Sequence, residues 1–259
     1  MSYTNLKLEK RGHTALVTFD NPPAHTWTLD SLAALKQLVE DLNADRDIYA
    51  LVITGSGDKF FSAGADLNLF ADGDFGTARN MARAFGQGFE TLSQFRGVSI
   101  AAINGFAMGG GLEVALACDI RVAEEQAQMA LPETKVGLLP CAGGTQNLLN
   151  LVSMSWAKRL MLCGERIKAP KAAAIGLIDE LVPQGAALEK ALQMAEGVAQ
   201  QSPSAVAACK ELIQLAHQKS NAENLPIERE LFVDLFHTAD QKEGVNAFLE
   251  KRTPEWTNS

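Results

Sequence analysis

The chain has few of the side chains that usually hold metals or form disulfide frameworks. Its 259 residues include four cysteines, with no CxxC pair, and four histidines, none of them at metal-ligand spacing. A zinc site or a set of disulfides is therefore not expected, and a reducing cytosol is the predicted environment. The residues concerned are Cys118, Cys141, Cys163, Cys209, His13, His25, His217 and His237.

Targeting and anchoring signals are also missing from the sequence. The segment MSYTNLKLEK has neither the apolar core nor the cleavage site of a signal peptide, and no stretch approaches the ~20 apolar residues of a membrane span. The net charge of −8 argues against a general nucleic-acid binder, which is usually basic. We expect neither a membrane nor a nucleic-acid partner. A small anionic ligand is compatible with this charge, because helix ends and a few lysines can form a local positive pocket.

Motifs for nucleotide binding and serine hydrolysis are absent. The sequence contains no GxxxxGK[ST] loop and no GxSxG elbow, so neither ATP or GTP chemistry nor a serine nucleophile is predicted. The segment GGGLEV is similar to the start of a dinucleotide-binding turn, but the third glycine is missing. Glu133 only loosely fits the acidic residue that should follow about 20 positions later. Dinucleotide binding is therefore disfavoured.

The composition and the spacing of apolar residues indicate a globular α/β fold. Apolar residues make up 47% and charged residues 21% of the chain, as is usual in globular proteins. Short apolar runs at 15–19, 50–54, 98–105 and 119–123 predict strands, and the spacing over 29–42 and 77–95 predicts helices. Strands separated by helices are typical of α/β folds. After residue 143 the chain is mostly helical, with a break at Pro183 and Gly185.

Glu113 is an acidic residue in the apolar stretch NGFAMGGGLEVALACDI, residues 104–120. The glycines at 109–111 lie where a strand turns into a helix, and the first N–H groups of a helix have no partner inside it. Such a turn can stabilise a developing oxyanion. Glu113 follows about one turn later and is predicted to be buried, with a raised pKa that suits proton transfer near neutrality. The alternative is a structural salt bridge to Arg121 or Lys158.

Glu133 is the second candidate for proton transfer. It lies in ALPETKVGLLP between two prolines, in a loop predicted to be rigid. Considered by itself, Glu133 is more simply interpreted as a surface charge paired with Lys135. If it converged with Glu113 on one water molecule, one carboxyl group could deprotonate the water while the other protonated carbon. Sequence spacing does not reveal that convergence.

Several motifs, in order, resemble the enoyl-CoA hydratase/isomerase (crotonase) family. FFSAGADL (60–67) is similar to its first oxyanion loop, and NGFAMGGGLEVALACDIRVA (104–123) to its second oxyanion segment and catalytic helix. LPETKVGLLPCAGGTQNL (131–148) is similar to its second catalytic loop. LCGERIKAPKAAAIGLIDELVP (162–183) and EGVNAFLEKR (243–252) match its downstream signature and its usual C-terminal ending. The resemblance covers essentially the whole chain.

The resemblance implies an acyl-CoA enzyme. The backbone N–H groups of Ala65 and Gly110 would hold the thioester oxygen as it becomes an enolate, and Glu113 and Glu133 match the two glutamates of hydratases. It implies syn addition of water to a trans-2-enoyl-CoA, giving a 3-hydroxyacyl-CoA, with Glu133 protonating the α-carbon and Glu113 helping to activate water. No cofactor is implied, because CoA is part of the substrate. The alternatives are a Δ3,Δ2-enoyl-CoA isomerase, another acyl-CoA reaction of the family, and a non-catalytic acyl-CoA-binding or RNA-associated scaffold.

Other positions match the family's contacts with CoA. Lys59 matches a basic position near the CoA phosphates, and Phe248 and Lys251 match a tail that contacts CoA, in many members from a neighbouring subunit. For the two lysines, an ordinary solvated charge is the alternative. The loop that lies along the adenine and pantetheine corresponds to Ala63, Asp66, Leu67 and Asn68.

Three departures from the family pattern concern the same site. The run 25–27, HTW, stands where NAL is common, and MALPE stands where FGQPE is common. Cys141 replaces a glycine whose N–H helps to hold the water in hydratases. Cysteine keeps that N–H and adds bulk and a thiol, so acyl-chain size is left open. A packing role is the alternative for Cys141.

The resemblance also implies the architecture. We expect an α/β, crotonase-like spiral of repeated β-β-α units over residues 1–190, which carries the acyl-CoA site. A helical C-terminal region over residues 191–259 would support trimerisation. The implied assembly is a homotrimer or a dimer of trimers.

Overall fold

The computed structural model describes residues 2–259. Twelve strands are present in this range: β1 (Leu6–Arg11), β2 (Thr14–Phe19), β3 (Thr26–Trp27), β4 (Ala50–Gly55), β5 (Phe60–Ser62), β6 (Gly64–Ala65), β7 (Val98–Ile103), β8 (Phe106–Met108), β9 (Ile120–Glu124), β10 (Gln128–Ala130), β11 (Ile167–Lys168) and β12 (Glu180–Val182). The α-helices of the same range are α1 (Leu29–Ala44), α2 (Phe75–Ser93), α3 (Gly110–Ala117), α4 (Gly144–Asn147), α5 (Met154–Leu162), α6 (Ala169–Ala174), α7 (Ala187–Val198), α8 (Pro203–Ala216), α9 (Asn221–Asp234) and α10 (Ala239–Glu250).

The strands form a spiral. The larger sheet has the order β1-β2-β4-β7-β9-β12, in which only β1 runs antiparallel to its neighbour. A smaller sheet has the order β11-β10-β8-β5, and β3 pairs with β6. Successive units place one strand in the larger sheet, the next in the smaller sheet, and then a helix, as in β4-β5-α2 and β7-β8-α3. The predicted spiral of β-β-α units is confirmed.

Both faces of the larger sheet are covered, which explains why its inner strands β2, β4 and β7 are largely apolar. On one face, side chains such as Leu51 and Ile103 pack with the helices α1 and α2. On the other face, side chains such as Val52 and Ile100 pack against three alanines of α7. The small alanine side chains let this helix lie close to the sheet.

The helix predicted over 29–42 is present as α1 and begins where its capping residues indicate. The side chain of Thr28 accepts a hydrogen bond from the N–H of Ser31, and the Ser31 hydroxyl accepts one from the N–H of Thr28. This capping box satisfies donors that the helix start leaves free. The buried residues of α1 recur at helical spacing, so its apolar face is turned to the core.

The C-terminal part is helical. Residue 190, the boundary predicted between the spiral and the C-terminal region, lies inside α7, which packs on the larger sheet. The last residues fold back: Asp240 is buried and accepts hydrogen bonds from the N–H groups of Thr257 and Asn258. Within residues 2–259, no helix combines the length and the hydropathy needed to cross a membrane.

Candidate active site

Glu113 lies in the first turn of α3, a helix whose eight residues are all buried. Its side chain is 2% exposed. Its Oε1 accepts hydrogen bonds from the backbone N–H groups of Ala142 (2.8 Å) and Gly144 (2.9 Å). Burial raises the pKa of this carboxyl, and the two N–H donors act in the opposite direction. The carboxylate is therefore held in a fixed orientation by main-chain groups, with Oε2 free of these two bonds.

Glu133 begins a short 3₁₀ turn, Glu133–Val136, directly after Pro132. Its Oε1 packs against Gly109, where an added Cβ would come within 2.9 Å of it. Its Oε2 is buried and has no hydrogen-bond partner among the described residues. Burial is the main cause that raises the pKa of Glu133 to about 7, and the negative charge of Glu113 adds to it. This carboxyl group is half protonated near neutral pH and is not engaged by the protein.

The structural alternatives considered for the two glutamates do not hold. Arg121 forms its ion pair with Asp179 instead of Glu113. Over residues 2–259, no ion pair joins Glu113 to Lys158 or Glu133 to Lys135.

Glycines bring the two predicted oxyanion donors together. Ala65 is the last residue of β6, and Gly110 is the first residue of α3. Gly64, the first residue of β6, has a φ of +88°, and an added Cβ would be 2.6 Å from the carbonyl oxygen of Met108 and 3.0 Å from the nitrogen of Gly110. No side chain fits there, so the two backbones touch. Gly110 is also at a helix start, where the dipole favours negative charge.

One cavity of about 290 Å³ collects these groups. Its wall contains both glutamates and both predicted oxyanion donors, and the rest of it is largely apolar. The lining residues are Ala63, Ala65, Leu67, Phe70, Phe85, Gly109, Gly110, Glu113, Pro132, Glu133, Lys135, Val136, Leu138, Leu139 and Cys141. Glu113 and Glu133 therefore line one cavity, which sequence spacing could not reveal.

A larger cavity of about 720 Å³ lies beside α8. Its only carboxylate, in the part of the chain that the structure describes, is that of Asp119, which is already bonded to Lys210 (2.7 Å) and to Ser99. We place the candidate active site in the smaller cavity, because free carboxyl groups and backbone donors meet there.

The predicted substrate contacts divide into two groups. Ala63, Leu67 and Cys141 line the cavity with the catalytic candidates. The other predicted contacts do not line this cavity; they are Lys59, Asp66, Asn68, Phe248 and Lys251. Asp66 caps the 3₁₀ turn Leu67–Phe70 by accepting a hydrogen bond from the N–H of Asn68. Lys59, Phe248 and Lys251 are exposed, Phe248 to 84%.

Sequence reasoning missed the groups that hold Glu113. The N–H groups of Ala142 and Gly144 come from the segment CAGGTQ, about 30 residues away. The feature of that segment that could have indicated its conformation is the pair of adjacent glycines, Gly143 and Gly144. Gly143 has a φ of +91°, and Gly144 leaves the space that the Glu113 carboxylate fills, since an added Cβ would lie 2.8 Å from Oε1.

Cys141 stands next to these donors. Burial raises the pKa of its thiol to about 11, and the nearby charges of Glu113 and Glu133 add to the rise. The side chain is therefore a neutral thiol at neutral pH, and it is not poised as a nucleophile.

Known proteins are similar to this chain over nearly its whole length. The sequence profile of the enoyl-CoA hydratase/isomerase family matches residues 9–259. A 2,3-dehydroadipyl-CoA hydratase of Escherichia coli K12 is 40% identical over 98% of both chains. Among solved structures, DspI of Pseudomonas aeruginosa is 63% identical, with a TM-score of 0.95 over 98% of this chain and 97% of that one. An enoyl-CoA hydratase of Bacillus anthracis is 35% identical, with a TM-score of 0.94 over 98% of this chain and all of that one.

The family profile spans nearly the whole chain, the relatives match from end to end, and the fold is the expected spiral. This chain belongs to the enoyl-CoA hydratase/isomerase (crotonase) family.

Proposed function

We propose that this protein is an enoyl-CoA hydratase that adds water to the double bond of a trans-2-enoyl-CoA. One observation carries the proposal: Glu113 and Glu133, in different hydrogen-bonding environments, line the same cavity as Ala65 and Gly110, whose backbone N–H groups we propose as the oxyanion donors. Addition of water needs both an acceptor for the proton of water and a donor for the proton that reaches carbon. Full-length relatives named as enoyl-CoA hydratases support the same reaction.

The proposed steps balance without a cofactor. Glu113, as a carboxylate, accepts a proton from water while the water oxygen bonds to C3. The electron pair of the C2–C3 double bond moves toward the thioester, and the N–H groups of Ala65 and Gly110 stabilise the charge on its oxygen. Glu133, as the protonated acid, then gives its proton to C2, and the thioester carbonyl re-forms. Proton exchange with solvent then returns Glu113 to the carboxylate form and Glu133 to the protonated acid.

The environments of the two glutamates support this division of roles. Two N–H donors stabilise the carboxylate form of Glu113, which suits a base. Glu133 accepts no such bond at Oε2 and has a pKa raised to about 7, so half of it carries the proton near neutrality. In the reverse dehydration, the ionised form of Glu133 would remove the proton from C2.

Turnover of crotonyl-CoA, followed by loss of the enone absorbance, tests the proposal. Glu113→Gln and Glu133→Gln should each lower kcat by ~10²–10⁴-fold, the usual range for one acid or base, with the fold unchanged by circular dichroism. The exposed Glu125→Gln is the matched control and should keep wild-type turnover. Wild-type turnover in both active-site variants would contradict the mechanism.

The choice of substrate distinguishes hydration from two other activities. An isomerase needs one group to move a proton between C2 and C4, and the second carboxyl group in the cavity favours hydration. A 3-enoyl-CoA, converted faster than crotonyl-CoA, would identify an isomerase. A non-catalytic scaffold would bind acyl-CoA and convert neither substrate.

The charges of the cavity also select the acyl group. Among the described residues, its charged lining consists of Glu113, Glu133 and Lys135, and the stem of Lys135 lies against Gly164, where an added Cβ would be 2.7 Å from Cε. A carboxylate at the end of the acyl chain would lie near two acidic side chains and no buried cation. We expect kcat/KM for 2,3-dehydroadipyl-CoA to be about tenfold or more below that for 2-hexenoyl-CoA, a penalty of ~1.4 kcal/mol or more. Equal values would contradict this assignment.

The remaining contacts and the assembly belong to the same proposal. Lys59 and the loop of Ala63, Asp66 and Asn68 would bind the CoA portion. The region 191–259 would support a homotrimer or a dimer of trimers, because its helices expose large apolar side chains, and Phe248 and Lys251 would reach a neighbouring subunit's CoA. Exposed clusters of this kind mark protein interfaces. Light scattering tests the assembly, and a monomer at micromolar concentration would contradict it. The exposed large apolar side chains of this region are Ile213, Leu225, Phe232, Val233, Phe236, Val245, Phe248 and Leu249.

The proposed location is the cytosol. All four cysteines are free and none pairs with another in the structure, which fits a reducing compartment.

A further inference from the structure

A buried histidine lies next to the strand that carries the first oxyanion donor. His25 is 5% exposed and has a φ of +53°, a conformation that few non-glycine residues adopt. It immediately precedes β3, which pairs with β6 in the register Thr26 to Gly64 and Trp27 to Ala65. The backbone strain therefore occurs at the entrance to the strand that aligns Ala65.

The imidazole ring joins two loops. Its Nδ1 accepts a hydrogen bond from the N–H of Asn21 (3.1 Å), and its Nε2 lies 2.7 Å from the carbonyl oxygen of Ser56. Because Asn21 can only donate there and Ser56 can only accept, the network assigns the proton to Nε2. One ring thus fixes the 20–25 loop to the turn between β4 and β5.

The backbone of His25 continues the connection toward the site. Its carbonyl oxygen accepts a hydrogen bond from the Ser62 hydroxyl (2.7 Å), and the same hydroxyl oxygen accepts one from the N–H of Gly64 (3.2 Å). Beside it, the N–H of Ala63 donates to the carbonyl of Ala24 (2.9 Å). Gly64 in turn touches the backbone of Gly110.

We propose that His25 is a positioning residue that sets the separation of the Ala65 and Gly110 N–H groups, and thereby the stabilisation of the enolate. It touches no substrate and acts through β3, Ser62 and Gly64. The inference rests on the proposed function, because it concerns the oxyanion site of that reaction. A ring that bonds at both ends resists a shift of β3 along β6, and a donor displaced by a fraction of an ångström loses much of its effect on the transition state.

The test compares His25→Asn with the wild-type protein. Asparagine tolerates a positive φ, but its shorter side chain cannot join Asn21 to Ser56. We expect kcat on crotonyl-CoA to fall by ~10–100-fold, less than the ~10²–10³-fold loss of a deleted oxyanion donor, with KM within about twofold of the wild-type value. A histidine that only stabilised the fold would lower the folded fraction without this separation of kcat from KM.

Binding of acetoacetyl-CoA and of CoA gives a readout that does not depend on turnover. The enolate of acetoacetyl-CoA places negative charge on its thioester oxygen, whereas CoA has no thioester. His25→Asn should weaken acetoacetyl-CoA about tenfold and leave CoA within about twofold, since only the former uses the oxyanion donors. If the wild-type protein failed to hydrate crotonyl-CoA, the proposed function would fail, and this binding ratio would still test His25.

Three further variants complete the experiment. Ser62→Ala removes the hydroxyl between His25 and Gly64, and should reproduce the selective loss if His25→Asn does not fold. His13→Asn removes an exposed histidine that bonds to the Asp47 carbonyl, and Val39→Ala lowers stability from the buried face of α1. Both controls should keep the wild-type kcat and binding ratio. The proposal is overturned if folded His25→Asn, or Ser62→Ala in its place, keeps them too, or if Val39→Ala loses them to the same extent.

Discussion

Replacing Glu133 by glutamine should make the protein more stable above neutral pH while it lowers catalysis. Burial raises the pKa of this carboxyl from 4.5 to about 7 in the folded state. In the unfolded chain it ionises near pH 4.5, so between the two values the folded state binds more protons and the wild-type protein loses stability as the pH rises. Glutamine has no charge to bury, so the variant escapes this loss.

The size of the effect follows from the difference between the two pKa values. About 2.5 pH units at ~1.4 kcal/mol each corresponds to ~3.4 kcal/mol. The Glu133 side chain is half-buried, and solvent screening reduces the figure, so we expect the variant to gain about 1–2 kcal/mol at pH 8 relative to pH 4. The glutamine amide of the variant also needs hydrogen-bond partners, and this changes its free energy of unfolding by an amount that does not depend on pH.

Urea unfolding at intervals from pH 4 to pH 9 measures this dependence. The difference in the free energy of unfolding, variant minus wild type, should rise through the interval between pH 4.5 and pH 7 and then level off. Glu125→Gln, at an exposed position directly after β9, is the matched control and should give a nearly flat difference. A flat curve for Glu133→Gln, or one that falls with pH, would refute the assignment of a buried, unpaired carboxyl.

Three other predictions concern the same cavity. Hydration and dehydration both need the Glu113/Glu133 pair to hold one proton, so kcat/KM in both directions should decline above about pH 7, where Glu133 ionises; pH–rate profiles in the two directions check this, and a kcat/KM that stays level up to pH 9 would contradict it. Gly64→Ala should unfold more readily by ~2 kcal/mol or more and lose activity, because the new Cβ would lie 2.6 Å from the Met108 carbonyl oxygen; thermal unfolding and turnover measure both effects, and a wild-type Tm would rule out the clash. Cys141 and Cys209 are both exposed, but Cys141 should react with iodoacetamide at pH 7.5 more slowly than Cys209, because desolvation and the nearby carboxyl groups raise the pKa of Cys141 to about 11; mass spectrometry of the labelled peptides decides, and equal rates would be inconsistent with the raised pKa.

The elements that hold the fold together could be predicted from local patterns. The apolar runs at 15–19 and 50–54 lie in β2 and β4, and the helical spacing over 29–42 and 77–95 lies in α1 and α2. Both kinds of pattern record how each segment faces the core, which is a property of a few neighbouring residues. The boundary predicted at residue 190 falls within α7, whose alanines pack on the larger sheet.

The candidate site could be predicted only in part for a physical reason. Both glutamates and both glycine-flanked donors were recognisable from motifs. The N–H groups that bind the Glu113 carboxylate could not be recognised, because every residue of the 141–144 segment has such a group. Only the folded path of the chain brings two of them to one oxygen. His25 stood out only as a departure from the family pattern. Its bonds to Asn21 and Ser56 depend on tertiary contacts that no local spacing records.

The close approach of β6 to the start of α3 has a consequence for how this scaffold can change during evolution. The proposed anion-stabilising donors, the N–H groups of Ala65 and Gly110, belong to the main chain, so among point substitutions only one to proline would delete either of them. The carboxyl groups and the thiol around them are side chains, each replaceable by one codon change or a few. If the proposed site is correct, new chemistry on the same thioester is accessible in small steps, while the stabilisation of the enolate is inherited with the backbone.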